Sequence, residues 1–124
     1  MKLQPDQFDA LSITAYGPGW IGLNGEKITS SVVISSRGQR MDWRCNSFEE
    51  LTPAHFDRLA ELGAELVLFG SGRQLRFPRP SWLAGLALRR IGLETMDTPA
   101  ACRTYNILAG EGRHVVVALL LETP

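Results

Sequence analysis

The sequence predicts an α/β fold built around a sheet that is covered on both faces. Three observations carry that prediction. The first third of the chain holds short alternating or β-branched runs broken by turn residues. From Leu51 onward, stretches of helical period alternate with short apolar runs. Those runs are almost continuously apolar, as strands buried on both faces are.

Taken in order, Leu11-Ser12-Ile13-Thr14-Ala15-Tyr16 alternates with period two until Gly17-Pro18-Gly19 breaks it. Trp20 to Leu23 reads as a second strand, Asn24-Gly25 as a tight turn with positive φ at both central residues, and Lys27-Ile28 as the returning strand. Ser31 to Ser35 is a further strand closed by Arg37-Gly38, and Arg40 to Arg44 is a candidate for another. This β meander must pack against the rest of the chain or extend its sheet.

Thr52-Pro53 is a helix start, with an N-cap ahead of proline in the first turn, where its missing N–H costs nothing. Phe56, Leu59 and Ala60 then share one face, and Gly63 supplies the stop. Glu65 to Phe69 is long enough for a buried strand and too short for a helix, and Gly70-Ser71-Gly72 ends it. A second helix is signalled from Pro80 or Ser81 to Ile91, with Gly92 as its C-terminal cap. Leu93-Glu94-Thr95 makes a brief strand. Thr98-Pro99 repeats the helix-start device, and the third helix runs to Leu108 or Ala109 with Ala101, Cys102, Tyr105, Leu108 and Ala109 as its apolar stripe. His114 to Glu122 reads as a buried central strand.

Composition narrows the class. At 124 residues the chain fits one domain, residues 1–124, able to bury about two-thirds of its unfolded surface. Thirteen basic residues cancel thirteen acidic ones, so net charge gives no attraction for nucleic acid or an anionic membrane. No apolar run reaches the roughly 18 residues a membrane span needs, and Met1 to Asp6 lacks the apolar core of a signal peptide. The expectation is a cytoplasmic protein with no membrane insertion and no nucleic-acid partner. In that compartment Cys45 and Cys102 are expected as free thiols. His55 and His114 have no ligand-like spacing to either cysteine, so no metal is expected.

Several residues allow a chemical and a structural reading. Gly70-Ser71-Gly72-Arg73 falls at the carboxyl end of a strand, where open α/β sheets hold ligands. Its backbone N–H groups could approach an anion beside Arg73, or it is a tight turn that needs positive φ. The standard phosphate-loop patterns fail, because there is no Gly-x-x-x-x-Gly-Lys, no third glycine and no helix directly after it. Thr98 is an N-cap with Asp97 beside the positive helix end, or that helix start binds an anion. Cys102 lies near the helix start, where a thiol can be activated, but also on the apolar stripe. Tyr105 and Asn106 either orient a substrate or supply a tethered ring and a loop-satisfying amide. Glu111 and Arg113 are spaced to pair with each other across Gly112. Trp20, Trp43 and Trp82 read as core or interface anchors, since no basic stripe interleaves them.

Gly70-x-Gly72 after an apolar strand, Met96-x-Thr98, Ala101-Cys102-x-Thr104-Tyr105-Asn106-x-Leu108 and Glu111-x-Arg113 together resemble the Mth-type domain of unknown function. That family of bacterial and archaeal proteins also includes the mitochondrial assembly factor three for NADH:ubiquinone oxidoreductase. The resemblance spans nearly the whole chain. It implies a three-layer α/β domain with a central mixed sheet, helices on one side and a β layer from the N-terminal meander on the other. It implies no established reaction, catalytic residue or cofactor. From the mitochondrial members it implies binding to other assembly factors and complex subunits.

The leading expectation is a non-enzymatic interaction or assembly factor for a larger, respiratory complex, with protein partners. The alternative is a small protein or enzyme that binds an anion or nucleotide. Its crevice would lie between Gly70, Ser71, Gly72 and Arg73 and the loop carrying Glu111 and Arg113, with Thr98, Tyr105 and Asn106 also contributing. Homodimerisation is left open by the edge that the N-terminal strands expose.

Overall fold

Two sheets form where the sequence places its alternating and apolar runs. The computed structural model describes residues 11–122, so the expectation drawn from Met1 to Asp6 lies outside the described residues. In chain order the elements are β1 (Ile13–Gly17), β2 (Trp20–Leu23), β3 (Glu26–Ile28), β4 (Val32–Ser35) and β5 (Arg40–Asp42). There follow α1 (Pro53–Ala60), β6 (Leu66–Gly70), α2 (Ala84–Leu88), β7 (Gly92–Met96), α3 (Thr98–Gly110) and β8 (Val115–Leu119). Short 3-10 turns occupy Phe48–Glu50 and Pro80–Leu83.

The N-terminal meander does both things open to it. β1, β2 and β3 form a separate antiparallel sheet, while β4 and β5 extend the main one, whose strand order is β5-β4-β8-β6-β7. That main sheet is mixed: β4 runs antiparallel to β5 and β8, and β6 runs parallel to β7 and β8. Asn24 and Gly25 take φ of 48° and 88°, the left-handed pair that turns β2 into β3 with the twist a two-residue hairpin requires.

Alternation along the main strands sends side chains to two cores. Val33, Val67, Phe69, Val116 and Ala118 face one side, where Phe56 and Leu59 of α1, Leu86 of α2 and two tryptophans cover them. Here the aromatic rings meet mostly edge to face, Trp43 with Phe56 at 5.7 Å and with Phe69 at 5.8 Å, a geometry worth about 0.5–1.5 kcal/mol per pair beyond burial. Val32, Ile34, Leu68, Val117 and Leu119 face the other side, against Ala101, Cys102 and Tyr105 of α3 and Ile21 and Leu23 of the small sheet. The mixed α/β class and the β layer agree with the sequence. α3, however, shares its face with that layer instead of joining α1 and α2.

Three boundaries differ from expectation for local reasons. α1 starts as expected, with Thr52 as N-cap; the backbone N–H of Thr52 donates to Nδ1 of His55 at 3.1 Å, and Nε2 of His55 lies 2.9 Å from the Arg44 carbonyl. The second helix is shorter than expected, because Pro80–Leu83 winds as a 3-10 turn before α2 begins. Its left-handed residue is Arg90 (φ 56°), and Gly92, expected as the cap, opens β7. The last ladder ends at Leu119, although Leu120 and Leu121 remain buried.

Candidate functional site

The start of α3 meets the carboxyl ends of β6 and β8, and its polar groups satisfy one another. Thr98 is not the N-cap. Asp97 is, and its side chain accepts the Ala100 N–H at 2.9 Å. Both residue types cap well, so the sequence could not separate them. Freed from capping, the buried Thr98 hydroxyl donates to the Leu120 carbonyl and accepts the Gly72 N–H, both at 2.9 Å. It thereby joins the loop after β6, the first turn of α3 and the chain after β8.

The same bonds use up the donors an anion would need. The Thr98 N–H donates to the Gly72 carbonyl at 2.8 Å, Pro99 has none to offer, and the Ala101 N–H donates to the Asp97 carbonyl at 2.9 Å. In the glycine turn, the Ser71 N–H donates to the Met96 carbonyl at 2.9 Å and the Arg73 N–H reaches a Glu122 carboxylate oxygen at 3.4 Å. Gly72 has φ of 100°, so the turn does need its glycine. Gly70 serves contact instead: a Cβ there would lie 3.1 Å from the Thr98 Cα and from the Ala101 Cβ. The tight approach of α3 to β6 is the use to which that glycine is put.

Arg76 and Glu122 were not singled out by sequence, yet they organise this corner. One guanidinium nitrogen of Arg76 lies 2.5 Å from a Glu122 carboxylate oxygen and 3.2 Å from the Ser71 carbonyl. The other reaches Glu49 at 3.7 Å, and the group stands 4.8 Å from the centre of the Phe48 ring. Ser71 is buried, its hydroxyl donating to the Gln74 carbonyl at 2.6 Å and accepting the Arg76 N–H at 3.0 Å. No local motif announces a pair that joins the loop after β6 to the end of the last strand.

Further along α3, the Thr-Tyr-Asn segment ties the helix to the small sheet. Tyr105 is fully buried and its hydroxyl donates to the Leu11 carbonyl at 2.7 Å; burial pushes its pKa up. The Asn106 amide nitrogen donates to the Ile13 carbonyl at 2.7 Å, and its oxygen accepts the Ile13 N–H at 3.0 Å. One side chain thus pairs with both backbone groups of a strand residue, as a neighbouring strand would. Cys102 has no exposed surface, and desolvation pushes its thiol up to about 12. A thiolate, the form that attacks, is disfavoured there near neutral pH. Cys45 is likewise a free, buried thiol pushed up to about 12 by desolvation.

Glu111 and Arg113 do not join this corner, nor do they pair with each other. α3 carries the chain away from the carboxyl ends of the strands, and β8 starts level with Leu66, at the opposite end of β6. There Nε of Arg113 pairs with Glu65 at 2.8 Å, both side chains being about half exposed. Glu111 is exposed at the C-terminal cap of α3. The crevice expected from sequence is therefore divided. Gly72, Arg73 and Thr98 come together at one end of the sheet, and Glu111 and Arg113 lie at the other.

Two clefts open at the first end. One, of about 290 Å³, lies between the β1–β2 turn, the start of α3 and the end of the last strand; Tyr16, Pro18, Pro99 and Leu121 are among its walls. The second, of about 410 Å³, is lined by Arg73, Gln74, Arg76 and Glu122. Arg73 and Glu122 border both. Among the described residues, no group of three or more His, Cys, Asp or Glu side chains is arranged to hold a metal ion. Among the same residues no helix is long and apolar enough to cross a membrane.

The chain falls in a recognised class. Residues 13–120 match the family described as Protein of unknown function (DUF498/DUF598), and the chain belongs to it. Across 120 residues, 95% of this chain, it is 28% identical to a Bos taurus protein named NADH dehydrogenase (ubiquinone) 1 alpha subcomplex assembly factor 3, and it spans 65% of that relative's length. A crystal structure of a Bordetella parapertussis protein superposes with a TM-score of 0.85 at 36% identity, covering 91% of this chain and 97% of that one. A solution structure from Bordetella pertussis, described as a Mth938-like domain, gives a TM-score of 0.83 at 31% identity, covering 98% of this chain and 93% of that one.

Proposed function

We propose that this protein is a non-enzymatic interaction factor that assists the assembly of a larger complex, of which a respiratory NADH:ubiquinone oxidoreductase is the foremost case. The observation that carries the reading is the 28% identity, over 95% of this chain, to proteins named as assembly factors. The polar signature supports it. Thr98, Tyr105 and Asn106 each spend their hydrogen-bonding groups on the backbone of the same molecule. Nucleophilic catalysis needs a nucleophile with a base and an open position within reach, and Cys102, the thiol of this stretch, is sealed in the core.

The test is genetic and biochemical, in a host that contains NADH:ubiquinone oxidoreductase. Loss of the chain should lower the amount of fully assembled complex on native gels and leave subassemblies behind. The tagged chain should co-purify with one of those subassemblies and be absent from the finished complex. Normal levels of complex in the deletion strain, with no subassembly recovered on the tagged chain, would overturn the reading.

A further inference from the structure

We propose that the paired clefts at the carboxyl ends of β6 and β8 form a binding site for a small amphiphile, a medium-chain molecule with an apolar body and a carboxylate head. The walls divide by polarity. Pro18, Pro99 and Leu121, with the ring of Tyr16, bound the first cleft, and Arg73, Gln74, Arg76 and Glu122 bound the second. Such sites are concave and mostly apolar, with a few placed polar groups that fix orientation.

Charge selects the head group. Arg76 is shared between Glu122 and, at 3.7 Å, Glu49, whereas the exposed guanidinium of Arg73, which borders both clefts, makes no side-chain hydrogen bond or ion pair among the described residues. An anionic head with more than one oxygen complements the free guanidinium of Arg73. The glycine turn and the start of α3 do not provide this recognition, since their N–H groups are already bonded. The head is held by side chains. Size limits the tail: the apolar cleft, about 290 Å³, lies at the small end of ligand pockets, which run from roughly 300 to 1,000 Å³. A medium-chain tail suits such a cleft better than a long one.

Binding of this kind is separate from complex assembly, so its failure leaves the assembly reading standing, and the reverse also holds. The probe is decanoate, titrated below its micelle-forming concentration into the isotopically labelled protein while backbone amide resonances are followed. Saturable shifts confined to the neighbourhood of Gly17, Gly72 and Leu121 are expected. Butyrate, which lacks the tail, and decanol, which lacks the charge, should each bind several-fold more weakly. Arg73→Gln alters an exposed side chain that holds no part of the fold together, and it should weaken decanoate about three- to tenfold while leaving decanol unchanged. No saturation, shifts scattered over the surface, or equal decanoate binding by Arg73→Gln would each overturn the proposal.

Discussion

The two ends of α3 both carry polar side chains and use them in opposite ways. At the N-terminal end Asp97 and Thr98 are bonded to backbone groups, and Thr98 is buried. At the C-terminal end Glu111 stands in solvent and Arg113 makes a half-exposed ion pair with Glu65. What separates them is water. A buried polar group left unbonded costs its full desolvation, whereas an exposed one simply returns to solvent. Polar residues at the two ends of one helix therefore differ several-fold in structural weight, and their polarity alone does not reveal which is which.

The largest effect expected from this contrast is at Thr98. Thr98→Val keeps the shape but strips the partner from the buried Gly72 N–H and the Leu120 carbonyl. It should lower the unfolding free energy by about 2–4 kcal/mol, measured by urea denaturation. A change below about 0.5 kcal/mol would mean that water replaces the hydroxyl and that this end is no more buried in effect than the other.

Next comes an alkaline dependence that belongs to the buried side of α3. Cys102 is raised from an ordinary value of 9.0 to about 12 by desolvation. Between those values the unfolded chain has released the thiol proton and the folded chain still holds it, so stability falls as pH rises. Each such thiol contributes up to about 1.4 kcal/mol per pH unit in that window. Unfolding curves for Cys102→Ala should show a shallower decline above pH 9 than those of the parent chain. Parallel declines would place the thiol in contact with solvent.

The smallest effect is expected at the other end. Arg113→Ala should cost less than about 1 kcal/mol, and most of that difference should vanish in high salt, as for exposed ion pairs generally. A loss comparable to that at Thr98 would erase the contrast.

How much could be read in advance depended on whether the deciding interaction was local. Asn24-Gly25 and Thr52-Pro53 announced a turn and a helix start because the backbone conformation they require is set by the residues themselves. The apolar runs of β6 and β8 announced strands covered on both sides. The face chosen by α3 was not legible, since a stripe at helical spacing says that a side is buried but not against what. Thr98 fills the first helical position although the sequence reads it as the N-cap, because adjacent aspartate and threonine compete for the same role. Arg76 with Glu122, and Arg113 with Glu65, are pairs 46 and 48 residues apart in sequence, joined only once strands are in register. Sequence alone favoured the nearer partner, Glu111, for Arg113.

The central claim is that the Thr-Tyr-Asn segment is a fastening between α3 and the small sheet. Native-state hydrogen exchange on Asn106→Ala tests it most directly, since that change removes the two bonds to Ile13 and leaves the buried core untouched. The account predicts that amides of β1 and β2 exchange faster by at least about tenfold, while those of β6 and β8 keep their protection. Unaltered exchange in β1 and β2 would contradict it.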